Sequence, residues 1–423
     1  MKKILLVLAV IGLCVRLWQF GRIPLSLYWD EAAIGLDARS LLQTGRDLNS
    51  RSWLQPIFIS YGDYKAPAYI WLVTILGKFS GVSELTVRLP SLLASLAVAW
   101  ILFKLFGRWA AVSFLIMPWA VHFSRIGFES HLSLFWLMLM VWLIYKKNYL
   151  APLAGIAGIY SYISLRLIAP LLFLNAAWKQ GLKYCLFGLA AIGLSIMVLT
   201  RSPFYPASQQ YRLSNDNLVT AALPLQAKLK QFILNYSAYF DPQFLLVSGD
   251  PNLRHHSGWG GELLLVQGLL LLLGLTAKPS RLMIGWLLLA PVVAALVNET
   301  PHASRAIYMI VPLAYLIGLG WQNLKPKWGI IAGLLLLVNF AGYFHDYFNH
   351  YPARSAIAWI KPYKDAALKQ YDSFPVYIDP KLYKPELYFA FYRNDLSIFR
   401  PNQQFYYYLP SVCPTGAVCL DQF

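Results

Sequence analysis

Apolar runs fill most of the chain and are separated by short polar connections. A membrane-spanning helix needs roughly 20 consecutive, mainly apolar residues. Runs that approach this length predict helices near residues 4–20, 89–106, 109–123, 131–145, 149–164, 166–178, 182–199, 261–277, 282–298, 304–321 and 328–344. The pattern therefore predicts an all-α polytopic membrane protein with about eleven transmembrane helices.

The charges in the connections predict how the chain is oriented. Cytoplasmic loops of membrane proteins are enriched in Lys and Arg. If the N-terminus is cytoplasmic, every predicted inner connection carries a basic pair: Lys2 and Lys3, Lys104 and Arg108, Lys146 and Lys147, Lys179 and Lys183, Lys278 and Arg281, Lys325 and Lys327. We therefore expect an integral protein of the plasma (inner) membrane, with a cytoplasmic N-terminus and an extracytoplasmic C-terminus.

The composition supports a membrane protein and excludes other classes. Of the 423 residues, 58% are hydrophobic and 13% are charged, whereas a soluble domain usually carries about 25% charged residues. Disordered, collagen-like and coiled-coil chains are excluded for the same reason. The net charge of +17 would suggest nucleic acid in a soluble protein, but basic residues at cytoplasmic helix ends explain it here. We expect membrane lipids, and no nucleic acid, as partners.

Three polar regions are expected outside the membrane. The first, residues 21–88, contains the short apolar segment 66–79, which we expect to lie as a helix in the outer interface. The second spans residues 200–260. The third, residues 346–423, is punctuated by proline and includes the strand-like segment PVYID, which indicates a small α/β appendage. The chain thus divides into a transmembrane domain, 1–345, and a C-terminal extracytoplasmic domain, 346–423.

Acidic side chains near the predicted outer face are candidates for proton transfer. Asp30 and Glu31 follow Tyr28 just after the first helix. Asp30 also precedes a helical pattern, so helix capping is an alternative role, and Tyr28 is a substrate contact or an interfacial anchor. Glu129, in the turn between the third and fourth helices, either faces the same cavity as Asp30 or forms a salt bridge with Arg125.

Cations also gather on the predicted outer side, where the loop-charge rule does not require them. Lys65 begins the interfacial helix and Arg88 begins the second spanning helix. Each can hold a phosphate group or extend to the lipid interface. The other arginines of this side are Arg125, Arg166, Arg254 and Arg305. Beside the acids, this surplus indicates a site for an anionic lipid phosphate next to a base, with Arg125 and Arg166 as candidate substrate contacts.

Histidines in two outer segments are further candidate substrate contacts. The adjacent His255 and His256 point to different sides of a helix or a strand, which disfavours a shared metal and favours a hydrogen-bonding, sugar-facing loop. His302 and Arg305 lie near the predicted start of the tenth helix, where backbone amides suit a phosphate; a cap on the ninth helix is the alternative. No cofactor is expected, and the sequence gives no support for a divalent metal.

Two cysteines, Cys413 and Cys419, enclose PTGAV near the C-terminus. Disulfides persist outside the cytoplasm, so we expect these two to form one; two free thiols are the alternative. The bond would stiffen the tail and has no catalytic role.

The order of these motifs resembles the C-type (GT-C) superfamily of membrane glycosyltransferases. More narrowly, it resembles the family 39-like bacterial relatives of protein O-mannosyltransferases and of the lipid A aminoarabinose transferase. That superfamily carries an Asp-Glu pair, a Lys-Pro element, an Arg-Leu-Pro helix start, a Ser-Arg turn and a Pro-His-Ala-X-Arg element. The matching residues are Asp30-Glu31, Lys65-Ala66-Pro67 (with one inserted residue), Arg88-Leu89-Pro90, Ser124-Arg125 with Glu129, and Pro301 to Arg305.

The resemblance implies a GT-C-like fold and inverting transfer of a hexose or pentose from a polyprenyl-phosphate-linked donor. The acceptor would be a lipid, a glycan or a protein at the outer membrane face. Asp30 would be the general base on the acceptor, or would orient it, and Glu31 or Glu129 would assist or position. The residues implied to bind the donor phosphate are Lys65, Arg88 and Arg305.

Two non-enzymatic functions also fit the composition. A transporter of lipid-linked glycans should place polar groups near the membrane midplane, often with inverted repeats, whereas the unusual charges here lie at one face. A structural assembly subunit would leave Asp30 and Glu31 without a role. The sequence therefore favours the enzyme.

Overall fold

The structure is a computed structural model that describes residues 2–213, 217–369, 376–379, 381, 384–396, 405–406 and 418–420. It is mostly helical. The helices are α1 (Lys2–Leu17), α2 (Trp29–Thr44), α3 (Pro67–Ser80), α4 (Glu84–Phe106), α5 (Arg108–Leu115), α6 (Pro118–Phe123), α7 (Glu129–Tyr145), α8 (Ala151–Ile159), α9 (Leu165–Ala177), α10 (Leu182–Thr200), α11 (Tyr205–Leu213), α12 (Leu225–Ala238), α13 (Leu265–Thr276), α14 (Arg281–Leu289), α15 (Ile310–Gln322), α16 (Pro326–Asn349), α17 (Tyr351–Ser355), α18 (Lys361–Leu368) and α19 (Glu386–Tyr392). The strands are β1 (Phe58–Ser60), β2 (Asp63–Lys65), β3 (Val376–Ile378), β4 (Phe405–Tyr406) and β5 (Val418–Leu420).

Within the described part of the chain, three helices are long and apolar enough to cross a membrane: α4, α10 and α16. Shorter apolar helices, of 10–17 residues, include α7, α13 and α15. These helices support an integral membrane protein. The count of eleven spans and the orientation of the termini stay predictions.

Proline shortens two of the predicted helices. The single helix expected at 109–123 is wrong, because the chain forms α5 and α6 with a break before Pro118. Met117 has an extended backbone, with φ −75° and ψ 122°, as the residue before proline usually does. Helix α14 ends at Leu289 rather than at 298, because Pro291 has no N–H to continue the helical hydrogen bonds.

The first predicted outer loop contains α2, a short hairpin and α3. Helix α3 confirms the helix expected at 66–79; its interfacial position stays a prediction. Strands β1 and β2 pair antiparallel, with Ser60 opposite Asp63. The two turn residues, Tyr61 and Gly62, both have positive φ, 49° and 85°, as a type I′ hairpin turn requires.

The C-terminal segment packs on this loop. Arg39 of α2 donates hydrogen bonds of 3.0 Å to the carbonyl oxygens of Ala390 and Phe391 in α19. The predicted PVYID strand is confirmed as β3, which lies between β4 and β5 in a parallel sheet. Helix α16 continues through residue 345 to Asn349, and the division into domains at 345 stays a prediction.

Candidate active site

One polar cavity, of about 300 Å³, collects most of the predicted site residues. We call it the cationic cavity. It is bounded by the start of α2, strand β2, the start of α7 and the two loops that precede α13 and α15. The candidate residues that line it are Tyr28, Asp30, Lys65, Glu129, Arg254, His255, His302 and Arg305. Acids and cations that are far apart in the chain therefore meet in one place.

Lys65 lines this cavity and pairs with two of its acidic residues. Its side chain is only 2% exposed, and its Nζ atom lies 2.5 Å from Oδ1 of Asp30 and 3.2 Å from Oδ2 of Asp63. Burial alone would lower the pKa of Lys65, but the charges of Asp30, Asp63 and Glu129 raise it above its ordinary value. The ammonium is therefore permanently charged at neutral pH. Since an ammonium has three N–H donors, one remains beyond the two carboxylates.

Asp63 is a cavity residue that the sequence analysis missed. It precedes Lys65 by two positions in β2, and residues two apart in a strand lie on the same face. Once the hairpin was recognised, this period would have identified Asp63.

Glu31 and Arg88 form an ion pair that is buried away from the cavity, both with fully inaccessible side chains. Glu31 accepts hydrogen bonds from Nε of Arg88 at 3.1 Å and from the backbone amides of Gly127 and Tyr28 at 2.6 and 3.0 Å. Arg88 also donates to the carbonyl oxygens of Pro24 and Ser26. The contacts of Arg88 favour a structural role over the phosphate contact implied by the resemblance, and those of Glu31 favour positioning the loop over proton transfer.

Arg125 is likewise buried and directed away from the cavity. Its guanidinium donates to the carbonyl oxygens of Val15 and Arg16 at 2.5 and 3.1 Å. Carbonyl groups at a helix C-terminus lack partners within the helix, and a cation there is favourable. Arg125 thus caps α1, and these contacts favour this role over the expected substrate contact and over the alternative salt bridge to Glu129.

Arg254 is the cation best placed to meet an anionic ligand. Its guanidinium carbon lies 3.9 Å from the centroid of the Tyr28 ring, and its Nε donates to Oδ1 of Asn252 at 3.0 Å. An arginine stacked on an aromatic face is held flat. The terminal nitrogens of Arg254 have no hydrogen-bond partner in the described part of the chain.

Arg305 lines the same cavity but is paired. Its Nη2 lies 3.0 Å from Oε2 of Glu299, and its side chain is 27% exposed. A ligand phosphate would therefore compete with Glu299 for this arginine.

His255, His302 and Asp250 form a compact buried cluster. His255 Nδ1 lies 3.1 Å from Oδ2 of Asp250, which also accepts the backbone N–H of Ala303 at 2.7 Å. The two imidazole rings are 4.2 Å apart. Burial, followed by the charges of His255, Arg305 and Arg254, lowers the pKa of His302 well below its ordinary value, so its ring is neutral.

This cluster has a composition that could hold a metal ion. Each of its three residues can offer one ligand atom, and these atoms lie within 4.8 Å of one another. One carboxylate and two imidazoles suit zinc. Asp250 already accepts hydrogen bonds from His255 and from the backbone of Ala303, and the expectation of no cofactor stays a prediction.

His256 does not line the cavity. Its Nε2 lies 3.2 Å from the carbonyl oxygen of Gly261, and its Nδ1 accepts the N–H of Gly258. Burial lowers the pKa of His256 to about 4. Its hydrogen bonds shape the loop that carries His255, so a direct substrate contact is not supported.

The remaining candidate residues lie beside the cationic cavity or outside the residues that the structure describes. Arg166 borders a small adjoining pocket together with Lys65 and Glu129, and its guanidinium lies over the Tyr205 ring. Cys413 and the side chain of Cys419 lie outside the described residues, so the disulfide stays a prediction.

No family model matches the sequence, and no curated protein matches it. Among solved structures, ArnT from Cupriavidus metallidurans bound to undecaprenyl phosphate is similar, with a TM-score of 0.58 and 12% identity. The match covers 92% of this chain and 84% of ArnT. The chain has the fold of ArnT.

Other solved structures agree to different degrees. ArnT in the apo state matches with a TM-score of 0.56 over 92% of this chain and 83% of ArnT, again at 12% identity. An archaeal oligosaccharyltransferase, AglB from Archaeoglobus fulgidus, matches at 12% identity over 95% of this chain and 64% of AglB, with a TM-score of 0.46. ArnT has the GT-C fold that the motifs resembled, and at this identity the likeness establishes the fold alone.

Proposed function

We propose that this protein is a membrane glycosyltransferase that moves a sugar from a polyprenyl-phosphate-linked donor to an acceptor at the outer membrane face. The observation that carries the proposal is the cationic cavity. The Asp30 carboxylate lies beside the buried Lys65 ammonium, and Arg254 lines the same cavity, so that a base and cations border one space.

In the proposed reaction, Asp30 takes the proton from an acceptor hydroxyl. The hydroxyl oxygen forms a bond to the anomeric carbon of the donor sugar while the bond from that carbon to the phosphate oxygen breaks. The prenyl phosphate leaves with the bonding electrons, and the anomeric configuration inverts. General base catalysis of this kind contributes typically 10²–10⁴-fold to a rate.

Cations already in place would stabilise the charge that develops on the leaving phosphate. Lys65 is charged and retains an N–H donor beyond Asp30 and Asp63, and the terminal nitrogens of Arg254 border the same cavity. Arg305 would join them if the phosphate displaces Glu299. We therefore propose Arg254 as the second phosphate ligand, in place of Arg88, which is buried with Glu31.

The comparison with ArnT supports this proposal in one respect. A structure of ArnT contains undecaprenyl phosphate, and a protein of the same fold has bound the kind of lipid carrier proposed here.

The direct test is to incubate purified protein with a panel of undecaprenyl-phosphate sugars and with cell membranes as a source of acceptors, and to measure the release of undecaprenyl phosphate. We expect release with at least one sugar, and release that is about 10²–10⁴-fold slower with the Asp30→Asn variant. If the donors bind but none is consumed in the presence of cell membranes as a source of acceptors, the non-catalytic alternative, a glycan transporter or assembly subunit, replaces the enzyme.

A further inference from the structure

A second cavity, of about 190 Å³, borders the proposed base. It shares Asp30 and Asp63 with the cationic cavity, and otherwise different residues line it. We call it the aromatic pocket. Its other lining residues are Trp29, Ala33, Ser60, Tyr61, Tyr211, Lys384 and Leu387. Asp30 therefore borders two spaces of different chemistry.

The tip of the β1–β2 hairpin forms part of this pocket and has an unusual residue. Tyr61 lies at a position with a φ of 49°, which Asn, Asp or Gly normally occupies in a type I′ turn. A left-handed backbone is disfavoured for a residue with a bulky side chain. Such conformations persist where the surrounding structure fixes them, and they cluster at functional sites.

The C-terminal segment fixes this hairpin tip. The Tyr61 hydroxyl donates a hydrogen bond to the Glu386 carboxylate, and the Lys384 ammonium donates one to the Tyr61 carbonyl oxygen. The ammonium also lies 5.0 Å from the Tyr61 ring centroid. Residues more than 300 positions from the hairpin thus complete the pocket beside Asp30.

We infer that the aromatic pocket binds the acceptor and that the acceptor is a carbohydrate; this inference rests on the proposed function. A base in an inverting transfer must contact the acceptor hydroxyl, while the donor phosphate needs cations. Among the described residues, Lys65, Arg254 and Arg305 border only the first of the two spaces, whereas the ammonium of Lys384, the cation that lines the second, donates a hydrogen bond to the Tyr61 carbonyl oxygen. The donor is therefore assigned to the cationic cavity, and the acceptor enters from the aromatic pocket.

The lining of the aromatic pocket suits a sugar ring. The faces of Trp29, Tyr61 and Tyr211 carry partial negative charge, which attracts the polarised C–H groups of a sugar. The Ser60 hydroxyl donates its hydrogen to Asp37 and Asp63 is paired with Lys65, but the oxygen atoms of both side chains can still accept hydrogen bonds from sugar hydroxyls. A peptide would instead need backbone hydrogen-bonding partners along an extended groove. In the proposed transfer, the hydroxyl oxygen of the acceptor sugar forms the bond to the anomeric carbon of the donor, and the hydroxyl proton passes to Asp30.

Substitution of Tyr61 separates ring stacking from the clamp to Glu386. Tyr61→Asn keeps a residue that tolerates the turn and removes the ring, whereas Tyr61→Phe keeps the ring and removes the hydrogen bond. Transfer is measured with a radiolabelled undecaprenyl-phosphate sugar that is active in the panel, and with membranes of the producing cells as acceptor. We expect Tyr61→Asn to lower transfer about tenfold and Tyr61→Phe to lower it less, with undecaprenyl phosphate binding retained in both.

A second, independent test blocks the aromatic pocket with a bulky group. A bulky maleimide attached to Lys384→Cys should stop transfer while undecaprenyl phosphate still binds. The matched control is maleimide on Asn394→Cys, an exposed position of the same segment, together with wild-type protein treated in the same way. Mild periodate treatment of the acceptor membranes before the reaction should destroy their acceptor capacity, and protease treatment should not.

The outcomes distinguish this inference from the proposed function. If no undecaprenyl-phosphate sugar releases its phosphate, the glycosyltransferase itself is refuted. If transfer occurs but neither Tyr61→Asn nor the adduct at position 384 lowers it, or if Tyr61→Phe and Tyr61→Asn lower it equally, the acceptor pocket is refuted. Loss of acceptor capacity after protease, but not after periodate, overturns the carbohydrate class.

Discussion

The Nζ atom of Lys65 lies 2.5 Å from Oδ1 of Asp30, and the lysine is buried whereas the aspartate side chain is 37% exposed. The burial of Lys65 fixes the position of the ammonium, and the ion pair in turn orients the carboxylate at the edge of the cavity. One face of Asp30 is therefore held while the other is accessible to substrate. This relationship makes Asp30, rather than Glu31, the acid best placed to accept a proton.

The first prediction concerns the proposed base. Asp30→Asn should lower the rate of transfer by about 10²–10⁴-fold, because an amide cannot accept the acceptor proton, and it should leave the protein folded. The matched variant Asp63→Asn removes the other partner of Lys65 and should cause a smaller loss. Release of undecaprenyl phosphate measures both. An Asp30→Asn variant that retains full activity would exclude Asp30 from the mechanism.

The second prediction distinguishes a structural from a phosphate-binding arginine. Arg88→Ala leaves Glu31 charged and buried without its partner, and breaking such a pair typically costs about 3–5 kcal/mol. We expect a large drop in the melting temperature and a poor yield of folded protein. The double variant Arg88→Met with Glu31→Leu should recover much of the stability.

Binding of undecaprenyl phosphate tests the opposite possibility, that Arg88 contacts the donor. If an Arg88 variant melts like the wild type but no longer binds undecaprenyl phosphate, the arginine contacts the donor after all. A substitution in the exposed pair of Lys361 and Asp365, Asp365→Asn, is the control and should have little effect on stability.

The third prediction assigns Arg254 to the donor phosphate. Arg254→Ala should weaken binding of undecaprenyl phosphate about 10–100-fold, the equivalent of a charge-assisted hydrogen bond of about 1.5–3 kcal/mol. Arg254→Lys should recover only part of it, because lysine lacks the planar group that stacks on Tyr28. Arg305→Ala, which removes an arginine already paired with Glu299, should weaken binding of undecaprenyl phosphate less than Arg254→Ala does. Equal losses at the two positions would contradict the assignment.

The fourth prediction is a pH dependence of stability that arises from Asp37. Burial raises the pKa of Asp37 from 3.8 to about 7, although hydrogen bonds from Ser60 and Leu48 oppose the rise. Because the folded pKa is the higher one, the contribution of Asp37 to stability is present below pH 4 and is lost as the pH rises through 7. Asp37→Asn removes the charge and keeps an acceptor for the hydrogen bond from Ser60.

The melting temperatures of Asp37→Asn and wild type, measured at pH 5 and pH 8.5, test this linkage. The melting temperature of Asp37→Asn, relative to that of the wild type, should increase as the pH rises. Asp241→Asn, at an exposed position, is the control variant. A pH-independent difference at Asp37 would refute its raised pKa.

The fifth prediction concerns orientation. A cysteine at the exposed position Asp241 should react with a membrane-impermeant maleimide from outside intact cells, and one at the exposed position Lys147 should react only after the membrane is opened. The variants are made in a background without the native cysteines. Labelling of Lys147→Cys from outside would reverse the topology and place the cationic cavity at the cytoplasmic face.

The sequence by itself determined the long apolar helices and the membrane class. Helices α4, α10 and α16 are visible as apolar runs, because the length and composition of such a segment are local properties. Helix α3 and strand β3 were also predicted. The break before Pro118 could have been predicted as well, since the restriction on the residue before proline is local.

The motifs also identified the charged residues and histidines that line the cationic cavity, except Asp63 and Glu299, because ionisable side chains at a membrane surface are costly unless they have a use. What only the tertiary structure decided is the partner of each charge. Arg88 and Glu31 are 57 positions apart, and Arg125 and Val15 are 110 positions apart. A sequence shows that an arginine is present, but whether it binds a ligand or a neighbouring carbonyl depends on which distant segment packs against it, and that is a property of the folded chain.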